Sequence, residues 1–156
     1  MFRKLFFTAV ALIGMTVLSG HVFAGEANEA ENKSATTSTD YTGTLAVDMN
    51  GKTSSISPFV TKITENPDGT VNIFVPEFKV GKMPGTIKID AKNVKADGTG
   101  NSYSQVVTLK ILGFPRTYDA KISATRSGNS ISYSVTVDAT YLGFPFTAIV
   151  TFTGTK

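Results

Sequence analysis

The sequence predicts an all-β protein, an eight-stranded antiparallel up-and-down barrel. From Tyr41 onward, short segments rich in Val, Ile, Thr, Phe and Tyr alternate apolar with polar residues, which is typical of strands that have one buried face. Turn residues separate these segments at short intervals. No segment after the N-terminal apolar run has a convincing helical pattern.

Eight strands are predicted in order along the chain. They span Tyr41–Met49, Lys52–Thr64, Thr70–Phe78, Thr86–Asn93, Ser102–Leu112, Thr117–Thr125, Ser130–Tyr141 and Phe146–Thr153. After the first strand, Asn50-Gly51 predicts a hairpin, because both residues tolerate the positive φ of a type I′ turn. Pro58 in the second strand cannot donate a ladder hydrogen bond, so it marks a bulge, a bend or an edge. The second and third strands are separated by Glu65–Gly69, which has the composition of a turn.

The later strands are assigned by their alternation. Apolar residues fall on one parity at Ile87, Ile89 and Ala91 in the fourth strand, Val107, Leu109 and Ile111 in the fifth, and Tyr118, Ala120, Ile122 and Ala124 in the sixth. In the seventh strand, which follows the turn at Ser127-Gly128-Asn129, every odd position is apolar. Short connections between eight such strands favour closure into a barrel, which leaves no exposed edge. A two-sheet β-sandwich is the alternative, favoured if Pro58 divides the second strand.

The N-terminal 24 residues have the pattern of a cleavable signal peptide. Arg3 and Lys4 precede an apolar run that is too short to span a bilayer, and Val22-Phe23-Ala24 predicts cleavage before Gly25. Residues 25–40 are small, acidic and polar, so they predict a disordered tether. Residues 41–156 then form a single β-barrel domain. We expect a periplasmic or secreted protein, with no Cys at the cleavage site for lipid attachment.

Several function classes are excluded by the residue inventory. Removal of residues 1–24 removes His21, the only histidine, and the chain has no Cys and no Trp. Zinc sites built from Cys or His, thiol nucleophiles and Ser-His-Asp triads therefore cannot form. The sequence predicts no enzyme, no catalytic residue, no metal site and no cofactor. After signal cleavage we expect no membrane-spanning segment, and an outer-membrane barrel is disfavoured by the charged polar faces and the lack of Trp.

The charge balance and the positions of the carboxylates indicate no nucleic-acid-binding or catalytic site. Of the 15 basic residues, Arg3 and Lys4 leave with the signal, so 13 basic residues balance 12 acidic ones, and no basic face for nucleic acid is visible. Four aspartates have the polar parity of their strands and are expected to face solvent: Asp48, Asp90, Asp119 and Asp138. The segment Asp97–Asn101 lacks the Lys of a phosphate-binding loop and the Glu of a calcium loop, so it is interpreted as a Gly-rich hairpin loop.

Three segments resemble the calycin-like β-barrel proteins, a family of exported proteins. They are Tyr41–Leu45, the Asp68-Gly69 turn that leads into Val71–Phe78, and Val80–Ile87. The resemblance covers Tyr41 to Thr153 and implies a barrel like those of lipocalins and avidins, without an established activity or functional residues. Lipocalins carry Gly-x-Trp on the first strand, whereas here Gly43 is followed by Thr44 and Leu45.

The most informative pattern is a repeat between strands. Leu112-Gly113-Phe114-Pro115 recurs as Leu142-Gly143-Phe144-Pro145, and Val80–Pro84 is a looser copy. Each copy joins an odd-numbered strand to the next even one, and in a meander these connections share one end of the barrel. The sequence thus predicts one apolar mouth and one polar mouth. The candidate ligand- or partner-binding residues at the apolar mouth are Met83, Phe114, Tyr118, Tyr141, Phe144 and Phe146.

Two interpretations of this mouth stay open. Its aromatic residues form a recognition rim, as exposed apolar clusters generally do, or they fold inward and plug the barrel. The first makes the protein a non-catalytic binding module for a small apolar ligand or a protein partner. The second makes it a structural or interaction protein with a filled barrel and no small-molecule ligand.

Overall fold

The eight predicted strands are present and form one closed barrel. The structure is a computed structural model that describes residues 36–82 and 85–156. The strands are β1 (Ser38–Met49), β2 (Lys52–Glu65), β3 (Thr70–Phe78), β4 (Gly85–Lys95), β5 (Asn101–Ile111), β6 (Phe114–Ser127), β7 (Ser130–Tyr141) and β8 (Phe144–Thr155). Each strand pairs antiparallel with the next, and β8 pairs with β1, so the sheet is closed and the sandwich alternative is wrong. Within the described ranges, no helix has the length and hydropathy needed to cross a bilayer.

Closure of the barrel depends on a close approach between β1 and β8. These strands pair from Thr42 opposite Thr155 to Met49 opposite Ala148. A Cβ placed on Gly43 would lie 2.0 Å from the carbonyl oxygen of Thr153, a distance that no side chain tolerates. Gly43 therefore permits the backbone contact that closes the sheet.

The first strand begins earlier than the sequence predicted. The sequence predicts that residues 38–40 belong to the tether, but they pair with Lys62–Thr64 of β2. The reason is that backbone hydrogen bonds extend a ladder without apolar side chains, so composition alone misplaces the end of a polar strand. The rest of the predicted tether and the predicted signal peptide, residues 1–35, lie outside the described residues.

Two other strands also begin earlier, because proline does not end them. Pro115 pairs with Lys110 and Pro145 pairs with Thr140, each one residue inside a hairpin. At this position the proline nitrogen points away from the hairpin partner. On that side β6 pairs with β7 only from Lys121 onward, and β8 pairs with β1 only from Ala148 onward, so no ladder hydrogen bond is lost.

The second strand carries the bulge that Pro58 predicts. Gly43 pairs with Phe59 and Leu45 pairs with Ile56, so two residues of β2 lie opposite one residue of β1. The pairing of β2 with β3 is confined to Lys62–Glu65, so Pro58 has no paired strand on its β3 side. The bulge bends β2 without dividing the sheet.

The barrel interior is filled by side chains of the inward parity. Its largest fully buried members are Tyr41, Leu45, Ile63, Ile73, Ile87, Ile89, Ile122, Ile131 and Phe152. The rings of Tyr133 and Phe152 stack with centroids 5.2 Å apart. Thr61 is a polar residue buried in this core: its hydroxyl donates to the Phe74 carbonyl at 3.1 Å and lies 3.0 Å from the Tyr133 hydroxyl. Burial raises the pKa of Tyr133, so this phenol stays neutral.

Candidate docking surface at one mouth of the barrel

Two neighbouring hairpins meet at the mouth formed by the odd-to-even connections. In each, a two-residue loop of Leu and Gly joins the strands: Leu112-Gly113 between β5 and β6, and Leu142-Gly143 between β7 and β8. The φ angles are 51° and 85° in the first loop and 50° and 84° in the second. Positive φ at both positions defines type I′ turns, which match the twist of paired strands.

Leucine is an unusual residue for the first position of such a turn. The left-handed region favours Gly, Asn and Asp, and other L-residues adopt it at a cost of roughly 1–2 kcal/mol. The turn between β1 and β2 shows the ordinary solution, since Asn50 occupies the same place with a φ of 52°. The two Leu residues are therefore held in a disfavoured conformation at equivalent places in the barrel.

The apolar side chains at these two turns face solvent. Leu112 and Phe114 are 80% and 71% exposed, and Leu142 and Phe144 are 69% and 77% exposed. Phe114 and Phe144 are thus not plugs of the barrel, which was one of the two interpretations of the repeat. We call these four residues the apolar rim.

Behind the apolar rim, partly buried aromatic residues connect the two hairpins. The Tyr118 and Phe146 rings meet edge to face with centroids 5.5 Å apart. The guanidinium of Arg116 lies over the Tyr141 ring, 5.9 Å from its centroid. These contacts bridge the place where β6 and β7 are no longer paired, because their ladder ends at Lys121 opposite Thr136.

A shallow apolar depression of about 240 Å³ lies beside the rim. Its lining includes Tyr141, Phe144 and Phe146, together with Ile111 and Leu142. The structure therefore brings three of the predicted site residues into one depression. Phe114 belongs to the neighbouring turn, Tyr118 lies deeper, and Met83 lies outside the described residues.

The interior offers almost no space under this mouth. The apolar cavity next to Tyr118 and Phe146 holds about 10 Å³, roughly the volume that one water molecule needs. The Tyr118 hydroxyl is buried and has no hydrogen-bond partner among the described residues. Small-molecule pockets usually measure about 300–1,000 Å³, so this cavity is too small for such a ligand as it stands. A more open depression of about 520 Å³ lies at the same mouth, between the β1–β2 turn and Val80–Lys82.

Sequence reasoning missed the two Leu residues as site candidates. The alternation predicts Leu112 as the last residue of the fifth strand, and the repeat marks Leu142 only as part of a connection. The signal that could have found them is spacing: each Leu-Gly pair separates two alternating segments by two residues, where Asn-Gly or Asp-Gly is expected. An apolar residue in that place has nothing to bury against.

The comparison with protein families agrees with this architecture. The model of the Calycin-like beta-barrel domain family matches residues 37–155. The chain belongs to the calycin-like β-barrel family. No curated protein and no solved structure gives a significant match to this calycin-like barrel.

The carboxylates of this calycin-like barrel are engaged in local hydrogen bonds. Asp48 accepts from the Gly51 amide at 2.8 Å, Asp119 from the Gln105 amide at 2.8 Å, and Asp138 from the Thr147 hydroxyl at 2.7 Å. Asp90 pairs with Lys92 at 2.8 Å. Among the described residues, no group of three or more His, Cys, Asp or Glu side chains is placed to hold a metal ion.

The opposite mouth of the calycin-like barrel is polar. Glu65, at the end of β2, pairs with Arg126 of β6 and with Lys156, whose Nζ lies 3.4 Å from its carboxylate. The hydrogen bond from Arg126 lowers the pKa of Glu65. Asn66 donates to Thr70 and Asn72 at 2.9 and 3.1 Å, which holds the turn after β2. These contacts join strand ends, so the two mouths differ as the repeat predicted.

Proposed function

We propose that this protein is an exported, non-catalytic binding module that docks a partner through the apolar rim. The observation that carries the proposal is the exposure of Leu112, Phe114, Leu142 and Phe144 at two adjacent turns. An apolar cluster kept in water generally marks a recognition surface. A calycin-like barrel is a fold consistent with a binding role.

The rim supports docking better than the interior supports a small-molecule ligand. The cavity of about 10 Å³ next to Tyr118 could admit a ligand only if core side chains moved. The rim needs no rearrangement, because its side chains are already exposed. The proposal therefore assigns binding to the outside of the mouth.

The backbone of the two turns supports a selected function. A residue type that is disfavoured in a turn, present at two equivalent turns, is characteristic of a functional site. Asn in place of Leu112 and Leu142 would relieve the turns and remove exposed apolar surface at once. The chain nevertheless has Leu at both positions, which lowers its stability.

The non-catalytic part of the proposal rests on the polar residues. General acid–base chemistry needs side chains that converge on a reacting group. Asp48, Asp119 and Asp138 instead bind neighbouring donors on the barrel wall. Export is supported by the basic, apolar and small-residue pattern that ends at Ala24.

The proposal is tested by titrating an apolar fluorescent dye against three proteins. The parent should bind the dye, and the variant Phe114→Ser/Phe144→Ser should bind it at least about tenfold more weakly, since each ring contributes apolar contact area. The matched control is Val60→Ser/Ile149→Ser. These residues are 45% and 36% exposed on the barrel wall, away from the rim, and their loss should leave dye binding unchanged.

Failure of the parent to bind the dye would contradict the proposal. So would an equal loss in the wall variant, because binding would then not depend on the rim. Either result would leave a structural or interaction protein with a filled barrel.

A further inference from the structure

We infer that the partner of the apolar rim is the surface of a lipid bilayer that contains anionic lipids. The inference rests on the proposed function and names the occupant of the same surface. Its first support is shape. The Leu and Phe side chains stand on the tips of two hairpins, one on each side of a Gly with φ near 85°.

Apolar side chains on protruding hairpin tips are suited to insertion into a fluid lipid bilayer. A protein partner must supply pockets that match each side chain and donors that match each polar group, whereas acyl chains accept an apolar side chain without a preformed pocket. The apolar depression beside the tips is shallow and measures about 240 Å³. The geometry therefore favours insertion of the tips over capture of a ligand between them.

The second support is the charge around the same mouth. Five basic residues flank the odd-to-even turns and are exposed: Lys52, Lys79, Lys82, Lys110 and Arg116. The ion pairs formed within residues 36–82 and 85–156 involve Lys62, Lys92, Arg126 and Lys156 and none of these five. Their charge is thus available to anionic headgroups.

Three carboxylates near this mouth, those of Asp48, Glu77 and Asp138, offset part of that charge. Asp48 accepts a hydrogen bond from the Gly51 amide of its own turn. Glu77 accepts one from the Thr86 hydroxyl. Asp138 accepts one from the Thr147 hydroxyl. These hydrogen bonds leave the carboxylates charged, so the five basic residues exceed the three acidic ones by two.

The positions of the apolar and basic residues along one hairpin also fit the interface between the bilayer and water. On the β5–β6 hairpin, Leu112 and Phe114 lie at the tip, and Lys110 and Arg116 follow on the two strands behind them. Tips that enter the acyl boundary would place these cations at the level of the headgroups, where each basic residue strengthens binding.

The experiment uses the absence of Trp from the chain. Phe114→Trp places a single indole on one tip, Leu142→Trp places it on the other, and Val60→Trp places it on the wall. Vesicles of phosphatidylcholine mixed with phosphatidylglycerol should shift the emission of both tip variants to the blue, and brominated acyl chains should quench it. The wall variant should show neither effect.

Partition into the same vesicles then separates the two contributions. Phe114→Ser/Phe144→Ser should lower the partition coefficient at least about tenfold. Lys52→Gln/Lys110→Gln should lower it about fivefold for each charge removed, and salt should weaken binding. The matched control Lys95→Gln/Lys121→Gln changes two exposed residues near the opposite mouth and should leave partition unchanged.

The inference is overturned if no tip variant responds to vesicles, or if tip and wall variants respond equally. Dye binding at the rim without vesicle binding would mean that the proposed function holds with a protein partner. A lipid-free dimer that Phe114→Ser/Phe144→Ser dissociates would mean that a second copy covers the rim. Failure of the parent protein to bind the dye would instead contradict the proposed function.

Discussion

Leu112 and Leu142 are the residues that most directly relate stability to function in this barrel. Each occupies the left-handed region in a two-residue turn and leaves its side chain largely in water. Neither packing nor backbone preference explains Leu there. Asn50, which has nearly the same φ in the turn between β1 and β2, shows that the chain uses the favoured residue elsewhere.

We predict that Leu112→Asn/Leu142→Asn stabilises the protein and weakens docking. Relief of two strained positions should raise the free energy of unfolding by roughly 1–2 kcal/mol in total, because Asn tolerates positive φ and little buried area is lost. Urea unfolding measures this change, and dye binding measures the loss of docking. The reverse change, Asn50→Leu, should destabilise by more than this for its single position, because Asn50 Oδ1 also accepts a hydrogen bond from the Thr147 amide at 3.0 Å. Destabilisation by the double Asn variant would contradict the turn assignment.

The strands show how far sequence patterns determine this fold. Alternation located all eight strands, because an antiparallel barrel has one buried and one wet face along every strand. Alternation did not predict where the strands begin and end. The predicted strand starts at Thr117 and Phe146 leave Pro115 and Pro145 outside the strands, whereas each occupies a position where the missing amide has no partner to lose.

The candidate site was predicted only in part. The repeat located the mouth and the two Phe residues, because spacing along a meander determines which connections share an end. Whether a ring points inward or outward depends on its place in the hairpin ladder. The length of the loop determines this place, and the observed loops have two residues. The strands predicted to start at Thr117 and Phe146 leave longer loops, so the orientation of the two Phe rings could not be predicted.

At the polar mouth, an ion pair joins the ends of two strands and makes stability depend on pH. The Arg126 hydrogen bond lowers the pKa of Glu65 below its ordinary value of 4.5. Because the folded pKa is lower than the unfolded one, this stabilisation is present above the unfolded pKa and is lost as the pH falls through the folded pKa. Both side chains are more than a third exposed, so solvent screens the pair and the effect is small.

We predict that Glu65→Gln is less stable than the parent at neutral pH and equally stable in acid well below pH 4.5. Urea unfolding at both pH values measures the difference. In the Arg126→Gln background, the same substitution should show a weaker dependence on pH, because the first cause of the shift has been removed. A difference that persists unchanged in acid would show that Glu65 acts through packing.

At the scale of the whole barrel, apolar side chains form one core and the two mouths differ in chemistry. The interior next to Tyr118 leaves about 10 Å³, while Leu and Phe stand outside the mouth. The sequence places this barrel behind a segment with the pattern of a secretory signal. The protein we propose is therefore an exported module with one recognition surface.

Export gives a prediction that is independent of docking. The mass of the intact exported protein should correspond to a chain that begins at Gly25, since small residues at Val22 and Ala24 define the cleavage site. Mass spectrometry of the protein recovered from outside the cytoplasm measures it. A mass that includes residues 1–24 would mean that the N-terminal segment is retained.

The central claim, that the mouth carries an exposed rim and not a plug, is tested most directly by the free energy of unfolding of Phe114→Ser/Phe144→Ser. Loss of a buried Phe typically costs about 3–5 kcal/mol, whereas exposed substitutions stay within about 0.5 kcal/mol. Since both rings are more than two-thirds exposed, we predict that urea unfolding of the variant matches the parent within about 1 kcal/mol. A loss of about 6 kcal/mol or more would mean that both rings fill the barrel, and would contradict the account.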